Sequence, residues 1–343
     1  MPRTSGRPIR YKIIIGILLV ATLISFSFTV FLYIKGKNAE PSKESVTTVT
    51  TYTAEEVNVM IDDAMKKTTT SMLEKIKTEF AGGSSTVSLL RSLYPENLIY
   101  YDTDRYVFAS ILSTITKNDL KASNFAVSAE GEMSYSENGK ITSHKGIDVS
   151  KFQGTIDWDK VKKSGVEFAM IRAGYRSYGK GVITDDDNMK QNISGASKAG
   201  LDVGVYFFSQ AVTIAEANEE ADYVLSKIKG YTVNYPIVMD LEEIANDSYR
   251  QENLTPKELT DICIAFCDKI KAAGYTPMVY SNLKGFVANL ELERLNSYEK
   301  WFAYYDTELY FPYQLSMWQY SESGKVDGIT GNLDLDISFK TWK

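Results

Sequence analysis

The stretch FAMIRAGYRSYGKGVITDDDNMKQNISGASKAGLDVGVYFFS, residues 168–209, decides how the chain folds. Two apolar runs of strand character, FAMIRAGY and DVGVYFFS, flank a segment of helical spacing, MKQNISGASKAG, that closes on Gly200. A helix between two strands is the crossover that a parallel sheet requires. The same alternation extends in both directions. Upstream stand GIDVS and WDKVKKSG; downstream come AEANEEADYVLSKIKG, PIVMDLE, PKELTDICIAFCDKIKAAG and TPMVYSN. Thr255 is placed to cap the last of these helices, with Pro256 in its first turn. KWFAYYD, LSMWQYS and LDLDIS then follow, with connections too short for full helices. Eight strands across residues 145–343 predict an α/β fold, an irregular TIM-like (β/α) barrel with short last connections. In such a barrel the reacting groups belong at the C-terminal ends of the strands.

Those ends carry carboxylates. Asp148 follows Gly146 and Ile147 on the first strand, Asp240 and Glu242 close YPIVMDLEE on the fourth, and Asp334 lies in the last. Two positions apart on an extended strand, Asp240 and Glu242 face the same side with backbone positions about 6.6 Å apart. Glycosidic cleavage needs a protonated acid for the leaving oxygen and an ionised group for the charge developing on the sugar. Crowded carboxylates beside aromatic rings provide both, because repulsion and loss of water hold one proton in place near neutral pH. A single strand-end acid can equally cap a helix or pair with an arginine such as Arg172; acids at three strand ends weigh against that. Tyr175, Tyr206, Tyr280, Tyr304, Trp318 and Tyr320 lie at or near strand ends and suit either a sugar-stacking floor or the core. Trp158 reads as packing between a helix and the barrel.

Other chemistries find little support. The formal charge is −6, from 38 basic and 44 acidic residues, so no nucleic-acid partner is expected. His144 is the only histidine, and Cys263 and Cys267 lie four apart on one helical face, where they read as buried thiols. No zinc tetrad or Ser-His-Asp triad is readily built from these, so the chemistry falls mostly to carboxylates. The run Asp185, Asp186, Asp187 lacks the alternation of a calcium loop and sits where a helix begins, so it reads as helix capping.

Before the barrel, the chain reads as a series of short parts. Residues 13–34 run 22 positions without a charge, enough for a helix of about 33 Å that crosses a bilayer. A cleavable signal peptide would have a shorter apolar region and a small-residue cleavage site. Arg3, Arg7, Arg10 and Lys12 in the arm of residues 1–12 outnumber Lys35 and Lys37, which places the N-terminus in the cytoplasm and the remainder outside, at a single-pass cell-membrane anchor. Residues 35–86 form a polar linker and a stalk helix over 54–80, whose stripe of Val57, Ile61, Ala64, Thr68, Met72, Ile76 and Phe80 allows weak self-association as the alternative to a monomeric stalk. Residues 87–144 form a small mixed α+β module of unknown role, a spacer or substrate-side packing unit, with a hairpin turn expected at Asn138-Gly139.

The blocks GIDVSKFQGTIDW, FAMIRAGY, MKQNISGASKAGLDVGVYFFSQA, YPIVMDLE, MVYSN, MWQYS and GITGNLDLD resemble, in order and spacing, the glycoside hydrolase family 25 lysozymes. The resemblance covers residues 145–343 and none of the stalk. It implies an N-acetylmuramidase that cuts the β-1,4 bond between N-acetylmuramic acid and N-acetylglucosamine in peptidoglycan without metal or cofactor, with retention through the substrate's own 2-acetamido group. By the same resemblance Glu242 is the general acid/base, Asp240 orients or charges the acetamido group, and Asp148 and Asp334 are further acids of the subsite. The sequence departs from the family where Phe152 replaces a His or Trp, Phe207 a His, and Asp336 an Asn, and an acid at 336 close to Asp334 would perturb its titration. The combined expectation is a membrane-anchored wall hydrolase acting on glycan strands. The alternatives are a non-catalytic wall-binding scaffold of an envelope-spanning assembly and a hydrolase for another amino sugar.

Overall fold

The computed structural model describes residues 52–244 and 248–342. The chain divides into two compact units, Met1–Glu74 and Lys75–Lys343. Helix α1 (Ala54–Ala81) buries no residue, and Val57, Ile61, Met72 and Phe80 of its apolar stripe stay exposed. Thr53 and Glu56 start it reciprocally: the Glu56 amide donates to the Thr53 hydroxyl at 3.2 Å, and the Glu56 carboxylate accepts from the Thr53 amide at 2.7 Å. Among the described residues no helix is long and apolar enough to cross a membrane. The expected span over 13–34, the arm before it and most of the linker lie outside the described residues.

After the end of α1, the second unit continues with α2 (Thr86–Leu93), followed by an antiparallel hairpin of β1 (Asn97–Asp102) and β2 (Arg105–Ser110). A three-stranded antiparallel sheet of β3 (Phe125–Val127), β4 (Met133–Glu137) and β5 (Lys140–Ile141) comes next. The β4–β5 turn is Asn138-Gly139 with φ of 51° and 76°, the left-handed pair that a two-residue hairpin demands.

The barrel strands follow as β6 (His144–Val149), β7 (Phe168–Arg176), β8 (Ile183–Asp185), β9 (Asp202–Phe208), β10 (Ile237–Asp240), β11 (Pro277–Asn282), β12 (Glu299–Ala303), β13 (Met317–Gly324) and β14 (Leu333–Ser338). The crossover helices are α3 (Trp158–Lys163), α4 (Met189–Lys198), α5 (Ile214–Lys227) and α6 (Pro256–Ala272). The Thr255–Glu258 capping box and Pro256 open α6, and Cys263 and Cys267 are buried on it as free thiols. The ring closes as β6–β7–β9–β10–β11–β12–β13–β14 and back to β6, with β8 laid beside the far end of β7. Seven of these eight strands run in the same direction, as the alternation predicts. The last is not: β14 runs antiparallel to both β13 and β6. A parallel return needs a crossover of a dozen residues or more, and residues 325–332 supply only a turn through Gly328 and Gly331, both at positive φ.

Side-chain alternation splits the packing in two. Phe168, Met170, Val238, Met278, Trp301 and Met317 fill the barrel interior, while Ile147, Ile171, Val205, Met239, Val279 and Phe302 face the outer shell. Trp158 belongs to that shell, its indole packed where a Cβ on Gly195 of α4 would lie. The floor of the interior depends on glycine. A Cβ on Gly146 would come within 2.0 Å of the Phe168 ring. Gly146→Ala is therefore expected to lower the stability by about 2 kcal/mol, the cost of an overfilled core, read as a lower urea midpoint at unchanged slope.

Candidate active site

The upper end of the barrel opens into a cavity of about 280 Å³. Asp148 enters it from β6, Asp240 from the end of β10, Glu242 from the segment just after it, and Asp334 from the start of β14. Because β14 runs antiparallel, Asp334 reaches the mouth from the N-terminal end of its strand, directly opposite Asp148 in the register. This corrects the expectation that every reacting group sits at a C-terminal strand end. All four carboxylates picked out from the sequence are brought together, and Asp336 is buried below them, two residues along the inward face of β14.

A hydrogen-bond relay orients Asp148. The hydroxyls of Tyr280 and Tyr305 donate to Gln319 Oε1 at 2.7 and 3.0 Å, which turns the amide nitrogen toward Asp148, where it donates to Oδ2 at 2.7 Å. Trp301 Nε1 donates to Asp336 Oδ1 at 2.8 Å. Asp240 Oδ1 is buried with no hydrogen-bond partner among the described residues, an acceptor left for a donor from elsewhere. Arg172 is the single cation lining the cavity among the described residues, held by Asp186 at 2.8 Å and lying 5.0 Å from the ring centroid of Phe152.

Burial raises the proton affinity of every acid in the group. Burial pushes Asp148 well above the usual carboxylate range, and the charges of Asp334 and Asp336 add to it. Burial and then the Glu242 charge do the same to Asp240. Glu242 exposes part of its surface at the rim; the protein around its carboxyl raises it, while the hydrogen bond with Asp240 and the charge of Arg172 pull it back. Burial, Glu242 and Glu322 raise Asp334 to about 6. Asp336 is raised by burial and then by Asp334, so the substitution at 336 acts chiefly on its own proton and on that of Asp148. Carboxylates this close hold protons as a set.

The sign of the linkage follows. A carboxyl whose folded value exceeds its unfolded value binds its proton more tightly in the native state, so its contribution is complete below the unfolded value and is lost as pH rises through the folded one. Asp334 therefore makes the protein less stable as pH climbs from about 3.8 through about 6. Asp334→Asn is expected to flatten the fall in denaturant-derived stability across that window; an unchanged pH slope would refute it.

The aromatic expectations divide. Tyr206 and Tyr280 line the mouth. Tyr304 lies in an adjoining groove, and Tyr175 stands beside Arg172, 5.6 Å from its guanidinium, outside the mouth lining. Trp318 and Tyr320 are no part of the site. On β13 the inward positions are Met317 and Gln319, so the residues between and after them point outward, where Trp318 meets Phe125 edge-on at 5.7 Å. Gln319, Trp301 and Tyr305 also line the mouth, and of these strict alternation along LSMWQYS marks Gln319. Phe207 also faces outward, 5.5 Å from Tyr223, so its departure from the family pattern lies away from the mouth, whereas Phe152 is 77% exposed on the mouth itself. The capping expectation for 185–187 needs correction: Asn188 is the N-cap of α4, and the buried Asp186 instead accepts the amides of Lys151 and Asn188 at 3.0 Å each while holding Arg172. His144 contacts Glu167 at 2.7 Å, outside the mouth lining. Among the described residues no group of three or more His, Cys, Asp or Glu side chains is placed to hold a metal ion.

The sequence profile of the glycosyl hydrolases family 25 matches residues 147–329. The chain is similar to the autolytic lysozyme of Clostridium acetobutylicum, 30% identical over 193 residues that cover 56% of this chain and 55% of that protein. It is likewise similar to lysozyme M1 of Streptomyces globisporus, 27% identical over 209 residues, covering 55% and 66% of the two chains. Among solved structures, the modular autolysin LytC of Streptococcus pneumoniae, also determined in complex with a synthetic peptidoglycan ligand, matches with a TM-score of 0.53 and 26% identity, over 62% of this chain and 52% of that one. The chain thus spans about half the length of the autolytic lysozyme and of LytC.

Proposed function

Because the chain belongs to the glycosyl hydrolases family 25, we propose that it is a peptidoglycan hydrolase that cuts the β-1,4 bond between N-acetylmuramic acid and N-acetylglucosamine. The observation that carries this reading is Glu242 at the rim beside buried Asp240, with Asp148 and Asp334 facing them across one mouth. Glu242, its proton held by its surroundings, donates to the leaving glycosidic oxygen. Asp240 Oδ1, without a partner among the described residues, accepts the acetamido N–H of the substrate, so that the acetamido oxygen attacks the anomeric carbon and the C–O bond breaks. Water then opens the cyclic intermediate, giving its proton to the Glu242 carboxylate, and the configuration is retained. Asp334, raised only to about 6, supplies negative field for the positive charge developing on the ring, while Asp148, pushed well above the usual carboxylate range, keeps its proton beside it. The uncharged stretch 13–34 and the basic arm before it support a cell-membrane anchor with a cytoplasmic N-terminus and the barrel facing the wall.

The test is to digest purified peptidoglycan with the full chain, reduce the products with borohydride and identify the new ends by mass spectrometry. Reduced N-acetylmuramic acid ends are expected. Reduced N-acetylglucosamine ends would place the cut at the other bond, and wall that is bound without any new ends would make the chain a scaffold.

A further inference from the structure

A second cavity, of about 630 Å³, lies between the β1–β2 hairpin and the rim of the barrel. It shares Glu242, Tyr280 and Tyr305 with the mouth, so the two form one trough with Glu242 at their junction. The far wall belongs to the hairpin, which contributes Tyr100, Tyr101 and Tyr106 to the lining, while the barrel contributes Tyr304. Tyr101 is 60% exposed and meets Tyr106 edge-on at 5.2 Å. Two cations fix this wall to the barrel. Lys284 bridges Asp102 of the hairpin at 2.9 Å and Glu243 at 2.8 Å. Arg91 donates to the Tyr304 hydroxyl at 2.7 Å and to the carbonyl of Ile99 at 3.0 Å, and sits 3.5 Å from the Tyr310 ring centroid. The hairpin precedes the residues that the family profile matches, so this half of the trough is built by the chain's own N-terminal module.

The chemistry of the wall suits sugar. A tyrosine offers an apolar face for the C–H side of a pyranose and a hydroxyl for its edge, and the lysine of the trough is already matched by two carboxylates. We propose that the trough extends the catalytic cleft with binding positions for further sugar units of a glycan strand, held against Tyr100, Tyr101 and Tyr106. The proposal rests on the reading of the mouth as the glycan-cutting site. It gives residues 87–144 a task, that of lengthening the grip on the strand beyond the bond being cut.

Binding is measured with the full chain in detergent carrying Glu242→Gln, with and without Tyr101→Ala and Tyr106→Ala together. The probes are long glycan strands stripped of peptide and a tetrasaccharide. The tyrosine variant should bind long strands about tenfold more weakly, a loss of ~1.4 kcal/mol, and the tetrasaccharide less than twofold more weakly, which also reports an intact fold. Ile141→Ser, at an exposed position of β5, serves as the control and should bind both probes unchanged. Equal affinity of the tyrosine variant for long strands would overturn the proposal. A loss confined to strands that retain their peptides would overturn it as well, by assigning the trough to the peptide stem. Hydrolysis is read separately in the wild-type chain, so a chain that cuts nothing defeats the proposed activity while the binding comparison still decides the trough.

Discussion

Glu242→Gln is expected to slow the cleavage of peptidoglycan about a thousandfold, ~4.1 kcal/mol of transition-state stabilisation. Glutamine keeps the size of the side chain and its polar rim position, yet its amide neither gives a proton to a leaving oxygen nor takes one from water. Because Glu242 stands exposed at the mouth rather than in the packed interior, the fold should survive the change. Turnover measured by release of reducing ends, beside an unchanged urea midpoint, checks both halves. Activity within a few fold of wild type would remove Glu242 from the acid role and leave Asp334, raised to about 6, as the next acid to test.

Asp240→Asn should lower kcat about a hundredfold, ~2.7 kcal/mol, with KM and wall binding close to wild type. The argument is electrostatic. Asp240 is buried beside Glu242 with one oxygen unpartnered among the described residues. Burial and then the Glu242 charge raise it, so with the proton on Glu242 Asp240 is free to ionise. In the proposed mechanism the acetamido group gains positive character at its nitrogen, where a carboxylate is worth far more than a neutral amide. Asparagine retains an oxygen that can accept the N–H in the ground state, so binding persists while the transition state loses its counter-charge. A rise in KM with kcat preserved would make Asp240 a binding group only.

Much of this arrangement was legible from the chain. The strand strings and the helices closed by glycine predict the ring, and YPIVMDLEE places Asp240 and Glu242 at its mouth because short-range alternation carries that information. What escaped depended on direction or distance. Trp318 and Tyr320 looked like site residues by chemical type, yet register with Met317 and Gln319 turns them outward. The position of Asp334 at the start of its strand follows from an antiparallel return that residue composition alone does not announce. The approach of the β1–β2 hairpin to Glu242 depends on Lys284 reaching Asp102 and Arg91 reaching Tyr304. Such pairings across long stretches of chain leave no local pattern to read.

The antiparallel β14 also sets a timetable. It is the strand that lies between β6 and β13, so the first barrel strand to be synthesised waits unpaired on one side until the last has appeared. Contacts so distant along the chain close slowly, and the half-formed sheet exposes two open edges meanwhile. Asp148 meets Asp334 only when that closure occurs. The acids are therefore assembled last, and partly synthesised barrels lack the complete set of carboxylates at the mouth.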